Sequence, residues 1–200
     1  LGPRDTQPDE ALGLHRARAA TTLMLSLPGS AYLYQGEELG LPEHGTLPDS
    51  FRQDPSWFRH EGEVVGRDGC RVPIPWTADA PAFGFNDTGE SWLPQPESFA
   101  RYAVDQQAGV DGSTLELYRS LLALRKEHEL GAGGVAVVEG YDEDVLALER
   151  TTPVGRYLVL TNFGVEPVAL PDNARVLVSS ADLLDGGVPT DVTVWALLPG

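Results

Sequence analysis

T-T-L-M-L-S-L-P-G-S-A-Y-L-Y-Q-G-E-E-L-G, residues 21–40, decides the fold. Its first seven residues end an apolar stripe at helical spacing that begins further upstream. Pro28-Gly29 stops that run, because proline and glycine do not continue a helix. Ala31-Tyr32-Leu33-Tyr34 is short and apolar and reads as a buried strand. Gln35-Gly36-Glu37-Glu38 is a polar tip. Helix, tight turn, buried strand and polar tip form the rhythm of an α/β layer.

Upstream, residues 9–27 read as one helix. Asp9 follows Pro8 as a candidate N-cap, and Glu10 sits in the first turn. The stripe is Leu12, Ala19, Ala20, Leu23, Met24 and Leu27. Downstream, residues 42–96 carry eight of the sixteen prolines and many aromatics: Trp57, Phe58, Trp76, Phe83, Phe85 and Trp92. So many rings argue against disorder, and so long an irregular connection is usually functional. The aromatics could stack on sugar faces, although most of them are expected to form the loop's own small core. A second helix is expected over 113–128. Ser113 and Glu116 have the spacing of a capping box, and Leu117, Leu121, Leu122 and Leu124 supply the apolar face. Gly131 to Gly134 then breaks the chain.

From residue 135 the period changes to strands: V-A-V-V-E, D-V-L-A-L-E-R, R-Y-L-V-L-T-N, E-P-V-A-L, A-R-V-L-V and V-T-V-W-A-L-L. Short strands at close spacing imply an antiparallel sheet or sandwich, here a separate module.

Composition narrows the function. The net charge is −16, which disfavours nucleic acid and anionic membranes as partners. No apolar run reaches bilayer-spanning length. The single cysteine, Cys70, excludes an internal disulfide and points to a reducing cytoplasm. The histidines lack metal spacing. Asn86-Asp87-Thr88-Gly89-Glu90 lacks the full EF-hand ligand pattern, and there is no phosphate-binding or dinucleotide fingerprint. No cofactor is expected. The chain opens L-G-P-R-D without Met, and the expectation is a piece of a longer polypeptide.

Two motifs carry candidate chemistry. Glu37-Glu38 sit where a buried strand is expected to end, the place where barrels and open α/β sheets hold their sites. The alternative is a loop ion pair with Arg67 or Arg71. G-R-D-G-C-R-V-P-I-P-W, residues 66–76, sets Arg67 and Arg71 around Asp68. It is either an ion pair stapling a long loop or a guanidinium reaching into a pocket, since the arginine fork suits sugar hydroxyls and carboxylates alike.

These motifs, with R-Q-D-P (52–55), G-F-N-D-T-G-E-S-W-L-P (84–94) and L-Y-R-S-L-L-A-L-R-K (117–126), occur in an order that resembles the C-terminal part of an α-glucosidase of the α-amylase superfamily, in its oligo-1,6-glucosidase and maltase group. The resemblance implies an α/β plus all-β fold: the C-terminal portion of a (β/α)8 TIM barrel followed by a small antiparallel β-sandwich domain. Residues 1–130 would be the last part of the barrel, with helix 7, strand 8, a long loop over 35–112 and helix 8. Residues 134–200 would be the β-domain. The family's three catalytic carboxylates would all precede Leu1, so no catalytic residue is expected in this chain. Arg67 would bind the innermost sugar. Asp68 and Arg71 would hold the loop, with Gly69 permitting a sharp turn, and Glu37 and Glu38 would support the pocket floor. The implied partners are a small oligosaccharide substrate and the upstream barrel segment of the same polypeptide. The alternatives are a free-standing carbohydrate-binding or interaction module, and a family member that transfers or isomerises rather than hydrolyses.

Overall fold

The computed structural model describes residues 9–199. The chain divides into two compact units. One joins the chain up to Leu33 with Leu117 onward, and the other is Tyr34–Glu116.

In the first unit, helix α1 spans Glu10–Ser26, and Asp9 caps it by accepting from Leu12 N–H at 2.9 Å. Its buried face is Ala19, Thr22 and Leu25, with Thr21 and Ser26 beside it. The expected stripe is therefore rotated: Leu12 and Ala20 face outward, and two threonines are buried. Thr21 Oγ1 lies 2.7 Å from the Tyr118 hydroxyl, and Thr22 Oγ1 donates to the Arg18 carbonyl, which makes their burial affordable. Helices α2 (Pro55–Arg59) and α3 (Val104–Gln107) belong to the second unit. Helix α4, Thr114–Glu127, buries Leu117, Tyr118 and Leu121. Leu122 is exposed, because it lies off the 117–121–124 face, and Tyr118 takes the place expected for it. Of the expected capping box one half forms. Glu116 N–H donates to Ser113 Oγ, whereas the Ser113 N–H goes to the Val110 carbonyl and the Glu116 carboxylate accepts from Gly109 N–H.

Seven strands follow: β1 Gly134–Val137, β2 Val145–Thr152, β3 Gly155–Asn162, β4 Val168–Ala169, β5 Arg175–Ser179, β6 Gly187–Val188 and β7 Val192–Leu197. Five make an antiparallel sheet in the order β1-β2-β3-β7-β5, and β4 pairs with β6. Alternation sorts the side chains onto two faces. Leu148, Val159 and Trp195 are register neighbours on the face that packs with Leu25, Leu117 and Leu121. Ala147, Leu160 and Val194 are neighbours on the other face, packed with Val188 and Val192. The centre of the sheet is thus buried on both sides, which explains the unbroken apolar run Tyr157-Leu-Val-Leu160 in an antiparallel strand.

Ala31–Tyr34, expected as a buried strand, forms no strand pairing and is exposed; Tyr32 is 86% exposed. A strand is defined by its neighbours. Among the described residues no other strand stands beside this segment, so its apolar side chains have nothing to pack against.

The end of α1 is held from elsewhere. The last four carbonyls of a helix lack intrahelical donors, and the last turn of α1 contains no basic residue. Here the Leu23 carbonyl accepts from Ser26 Oγ and the Met24 carbonyl from Leu27 N–H. The Leu25 carbonyl accepts from Arg125, which also binds the Leu27 and Gly29 carbonyls. The Ser26 carbonyl accepts from Arg150 Nε at 2.7 Å. Arg150 is fully buried, and its terminal nitrogens donate to the carbonyls of Leu130, Ala132 and Gly134. Trp195 Nε1 donates to the Thr22 carbonyl at 2.8 Å. Burial lowers the pKa of both guanidinium groups, and the charge of Arg125 lowers that of Arg150 further. Arginine nonetheless stays cationic.

Replacing Arg150 with Met strands four carbonyls, and the expected loss is about 3–5 kcal/mol, the cost of breaking a buried charged network. Arg150→Lys should recover little, because an ammonium cannot reproduce the fork. Thermal unfolding followed by far-UV circular dichroism checks this. A loss below about 1 kcal/mol for Arg150→Met would show that the carbonyls find other donors.

Candidate functional site

The second unit is built around R-Q-D-P and G-R-D-G-C-R. Its apolar centre is small: Leu47, Val72, Leu93 and Phe99, with Leu41 and Phe83 against them. The aromatics contribute less to it than the sequence suggested. Phe58, Trp76, Phe85 and Trp92 are exposed, and Trp57 is half-buried beneath the Arg52 guanidinium, 5.2 Å from its ring centre. With so thin a core, polar contacts carry the loop.

Asp54 precedes Pro55 and caps α2, its Oδ1 accepting from Ser56 N–H at 2.9 Å. The buried Arg52 donates to the Leu47 carbonyl at 2.9 Å and the Val65 carbonyl at 3.2 Å, and it meets Asp49 at 3.3 Å. One arginine therefore pins the strands of loop on either side of α2.

The Arg-Asp-Gly segment closes onto this frame. Asp68 Oδ2 accepts from both Gln53 N–H and Asp54 N–H at 2.9 Å. Asp54 Oδ2 accepts from Arg67 N–H at 3.3 Å and Arg71 Nη1 at 3.2 Å, and Arg67 Nε approaches it to 3.5 Å. Arg71 also lies 4.0 Å from Asp68. Residues 68–70 form a single 3-10 turn, with Cys70 N–H and Sγ both directed at the Arg67 carbonyl.

Gly66 takes the left-handed conformation here, with φ of +73°, and a Cβ there would lie 2.6 Å from Asp54 Cβ. Gly69, expected as the sharp-turn residue, has an ordinary φ. Its requirement is space, since a Cβ would lie 2.7 Å from Glu43 Cγ and 2.9 Å from the His44 carbonyl oxygen.

The structure brings Arg67, Asp68 and Arg71 together around Asp54, a residue that the sequence offered only as part of the motif R-Q-D-P. The signal for it was Asp-Pro followed by Ser, a helix N-cap. Glu37 and Glu38 belong to a separate 3-10 turn, Glu37–Leu39. Glu38 closes that turn by accepting from Gly36 N–H at 2.8 Å, and Glu37 is exposed. Neither pairs with Arg67 or Arg71, whose ion pairs run to Asp54 and Asp68. An open groove of about 490 Å³ lined by Gly29, Leu122, Arg125 and Glu129 contains none of these residues.

The chemistry available follows from burial. Asp54 and Asp68 each accept two backbone N–H groups and are buried from solvent. Neither can act as a nucleophile on an external ligand. The Arg67 side chain is 74% exposed. Its contact with Asp54 uses Nε, which leaves the two terminal nitrogens of the fork for a ligand.

The Ser56 N–H is the main influence holding the Asp54 carboxyl at about 2, against burial, with help from Arg67. The ordinary aspartate value is about 3.9. A depressed pKa contributes stability that is present above the ordinary value and lost as pH falls through the folded one. Acidification from about pH 4 to about pH 2 should therefore loosen residues 34–116, read by near-UV circular dichroism. Asp54→Asn should flatten that transition. An unaltered acid transition in Asp54→Asn would assign it to other carboxylates.

Known proteins resemble this chain in sequence and in fold. The alpha-amylase catalytic-domain family model matches residues 6–134. The chain is 31% identical over 167 residues to a salivary alpha-glucosidase of Anopheles gambiae, covering 80% of this chain and 27% of that protein. It is 39% identical over 124 residues to a probable alpha-glucosidase of Rhizobium meliloti (strain 1021), covering 62% and 22%. The chain thus spans about a quarter of the length of these curated relatives. Among solved structures, the alpha-glucosyl transfer enzyme XgtA matches with a TM-score of 0.75 and 35% identity, over 92% of this chain and 36% of that one. A trehalose-6-phosphate hydrolase of Bacillus licheniformis matches in fold, with a TM-score of 0.76 at 23% identity, over 100% and 42%.

Proposed function

The chain belongs to the alpha-amylase family, and from that premise we propose that it is the C-terminal segment of a retaining α-glucosidase that releases α-linked glucose from small oligosaccharides. In this reading α1 is the helix after the seventh barrel strand, and Ala31–Tyr34 supplies the eighth strand. Residues 35–112 form the long loop, and α4 closes the barrel. Residues 134–200 are the C-terminal β-domain. The exposed apolar side chains of Tyr32, Leu33 and Tyr34 support a strand whose partners are other strands of the same polypeptide.

The observation that carries the functional reading is the presentation of Arg67. Its backbone N–H and its Nε both approach the buried Asp54 carboxylate, while the side chain as a whole is 74% exposed. A group held in this way can donate to sugar hydroxyls without first being ordered. A retaining glycosidase also needs two carboxyl groups about 5 Å apart across the scissile bond, one as nucleophile and one as acid and base. This chain contributes the sugar-binding wall, and the pair lies upstream.

Hydrolysis of a chromogenic α-glucoside tests the assignment. The 200-residue chain should be inactive, and the polypeptide carrying the upstream barrel should turn over. In the latter, Arg67→Ala should lower kcat/KM at least about tenfold, the worth of one charged hydrogen bond. Unchanged kinetics in Arg67→Ala would remove Arg67 from the subsite. Turnover by the short chain would move the chemistry into these residues, with Glu37 and Glu38 the first to mutate.

A second reading, transfer of glucose to another sugar rather than to water, is favoured by the likeness to XgtA. The two readings differ in their products. Chromatography of products formed from maltose in the presence of an acceptor alcohol separates them.

A further inference from the structure

We propose that Asp54 is a positioning residue for ligand binding: by holding Arg67 at both its backbone and its Nε, it fixes the direction in which the terminal guanidinium nitrogens point. This rests on the reading of Arg67 as a sugar-binding residue and adds the group that makes it competent. The Asp54 side chain is 1% exposed, and the Arg67 side chain is 74% exposed. One end of the contact is therefore fixed in the protein while the other faces solvent. Oδ1 is locked by Ser56 N–H. Oδ2 gathers Arg67 N–H, Arg67 Nε and Arg71 Nη1 between 3.2 and 3.5 Å. Gly66 packs its backbone against Asp54 where no Cβ fits, so the carboxylate cannot swing away on that side. The Asp54 backbone is itself tied down by Asp68.

An exposed arginine ordinarily samples many rotamers, and its apparent affinity is its intrinsic affinity scaled by the competent fraction. Through its contact with Nε, Asp54 restricts the torsions near the backbone and leaves the fork free. If release lowers the competent fraction to about one in ten, apparent affinity falls about tenfold.

The decisive experiment is a double-mutant cycle in the polypeptide carrying the upstream barrel. The variants are Asp54→Asn, Arg67→Lys and their combination, assayed on a chromogenic α-glucoside. Asp54→Asn keeps the acceptor for Ser56 N–H and removes the charge. The proposal expects KM to rise about tenfold in each single variant, with kcat changed much less. The double variant should be no worse than Arg67→Lys alone, since Asp54 then has nothing left to position. Effects that multiply in the double variant, or a loss confined to kcat, overturn the proposal.

A second measurement needs neither activity nor a folded Asp54→Asn protein. In the unmutated 200-residue chain, 15N relaxation should give the Arg67 Nε an order parameter near that of rigid backbone, about 0.85. The exposed Arg59 serves as the mobile reference. An Arg67 value as low as that of Arg59 overturns the proposal. Failure of the unmutated polypeptide to cleave any α-glucoside, with an ordered Arg67, would refute the α-glucosidase reading and leave the positioning contact standing.

Discussion

Two arginines satisfy one end of a helix, and much of the first unit depends on it. Helix α1 has no basic residue in its last turn, and of its last four carbonyls those of Leu25 and Ser26 take their donors from arginines elsewhere. Arg125 comes from α4 and Arg150 from β2. Each brings several donors to backbone oxygens instead of to a carboxylate. The helix dipole and the carbonyls of residues 130–134 take the place of a counter-ion. Because Arg150 is buried on β2, its demand for acceptors ties the end of α1 to the glycine-rich connection after α4. Trp195 then completes the arrangement by donating to Thr22.

The second unit solves a related problem with the opposite charge. Its core is thin, and a buried carboxylate, Asp54, is the acceptor on which Ser56, Arg67 and Arg71 converge. Asp68 performs the same service for the backbone of Gln53 and Asp54. Arg52 reaches back to Leu47 and Val65. Each charged side chain is satisfied largely by backbone groups, so the irregular path of the loop is specified without helices or sheets. The product is a rigid frame with one guanidinium facing outward.

Much of this was legible because period and punctuation are local properties. All six strand segments read from the sequence contain a strand, and Asp9 caps α1. The pair β4–β6 was half seen: E-P-V-A-L was read, but Gly187-Val188 is too short to show a period. Ala31–Tyr34 stands exposed here although its text reads as a strand, because an apolar run declares only that it wants burial, and the neighbours that would supply it lie outside its own text. Leu122 was misassigned by counting leucines, whereas the face is chosen by angle and Tyr118 lies on it. Arg150 read as one more polar strand residue. Nothing in L-E-R reveals that this side chain points into the core, since the carbonyls that require it are up to 124 residues away. The Asp54 hub was invisible for a similar reason: R-Q-D-P and G-R-D-G-C-R were both visible, but not that they meet at one carboxylate. The role of Gly69 depended on Glu43 and His44, which no turn rule brings to it.

The Arg150 cradle also bears on how such a chain can be taken apart and recombined. The glycines at 131–134 are the place where the text changes from helix to strand, and they look like a natural seam for exchanging the β-module with that of another protein. The oxygens of Leu130, Ala132 and Gly134 are three of the four acceptors of one cation, and Ser26 supplies the fourth. A graft joined at that seam would import an arginine without its acceptors, or leave acceptors without their arginine. The transferable unit is therefore discontinuous: the sheet, the connection before it, and the last turn of a helix more than a hundred residues upstream travel together or not at all.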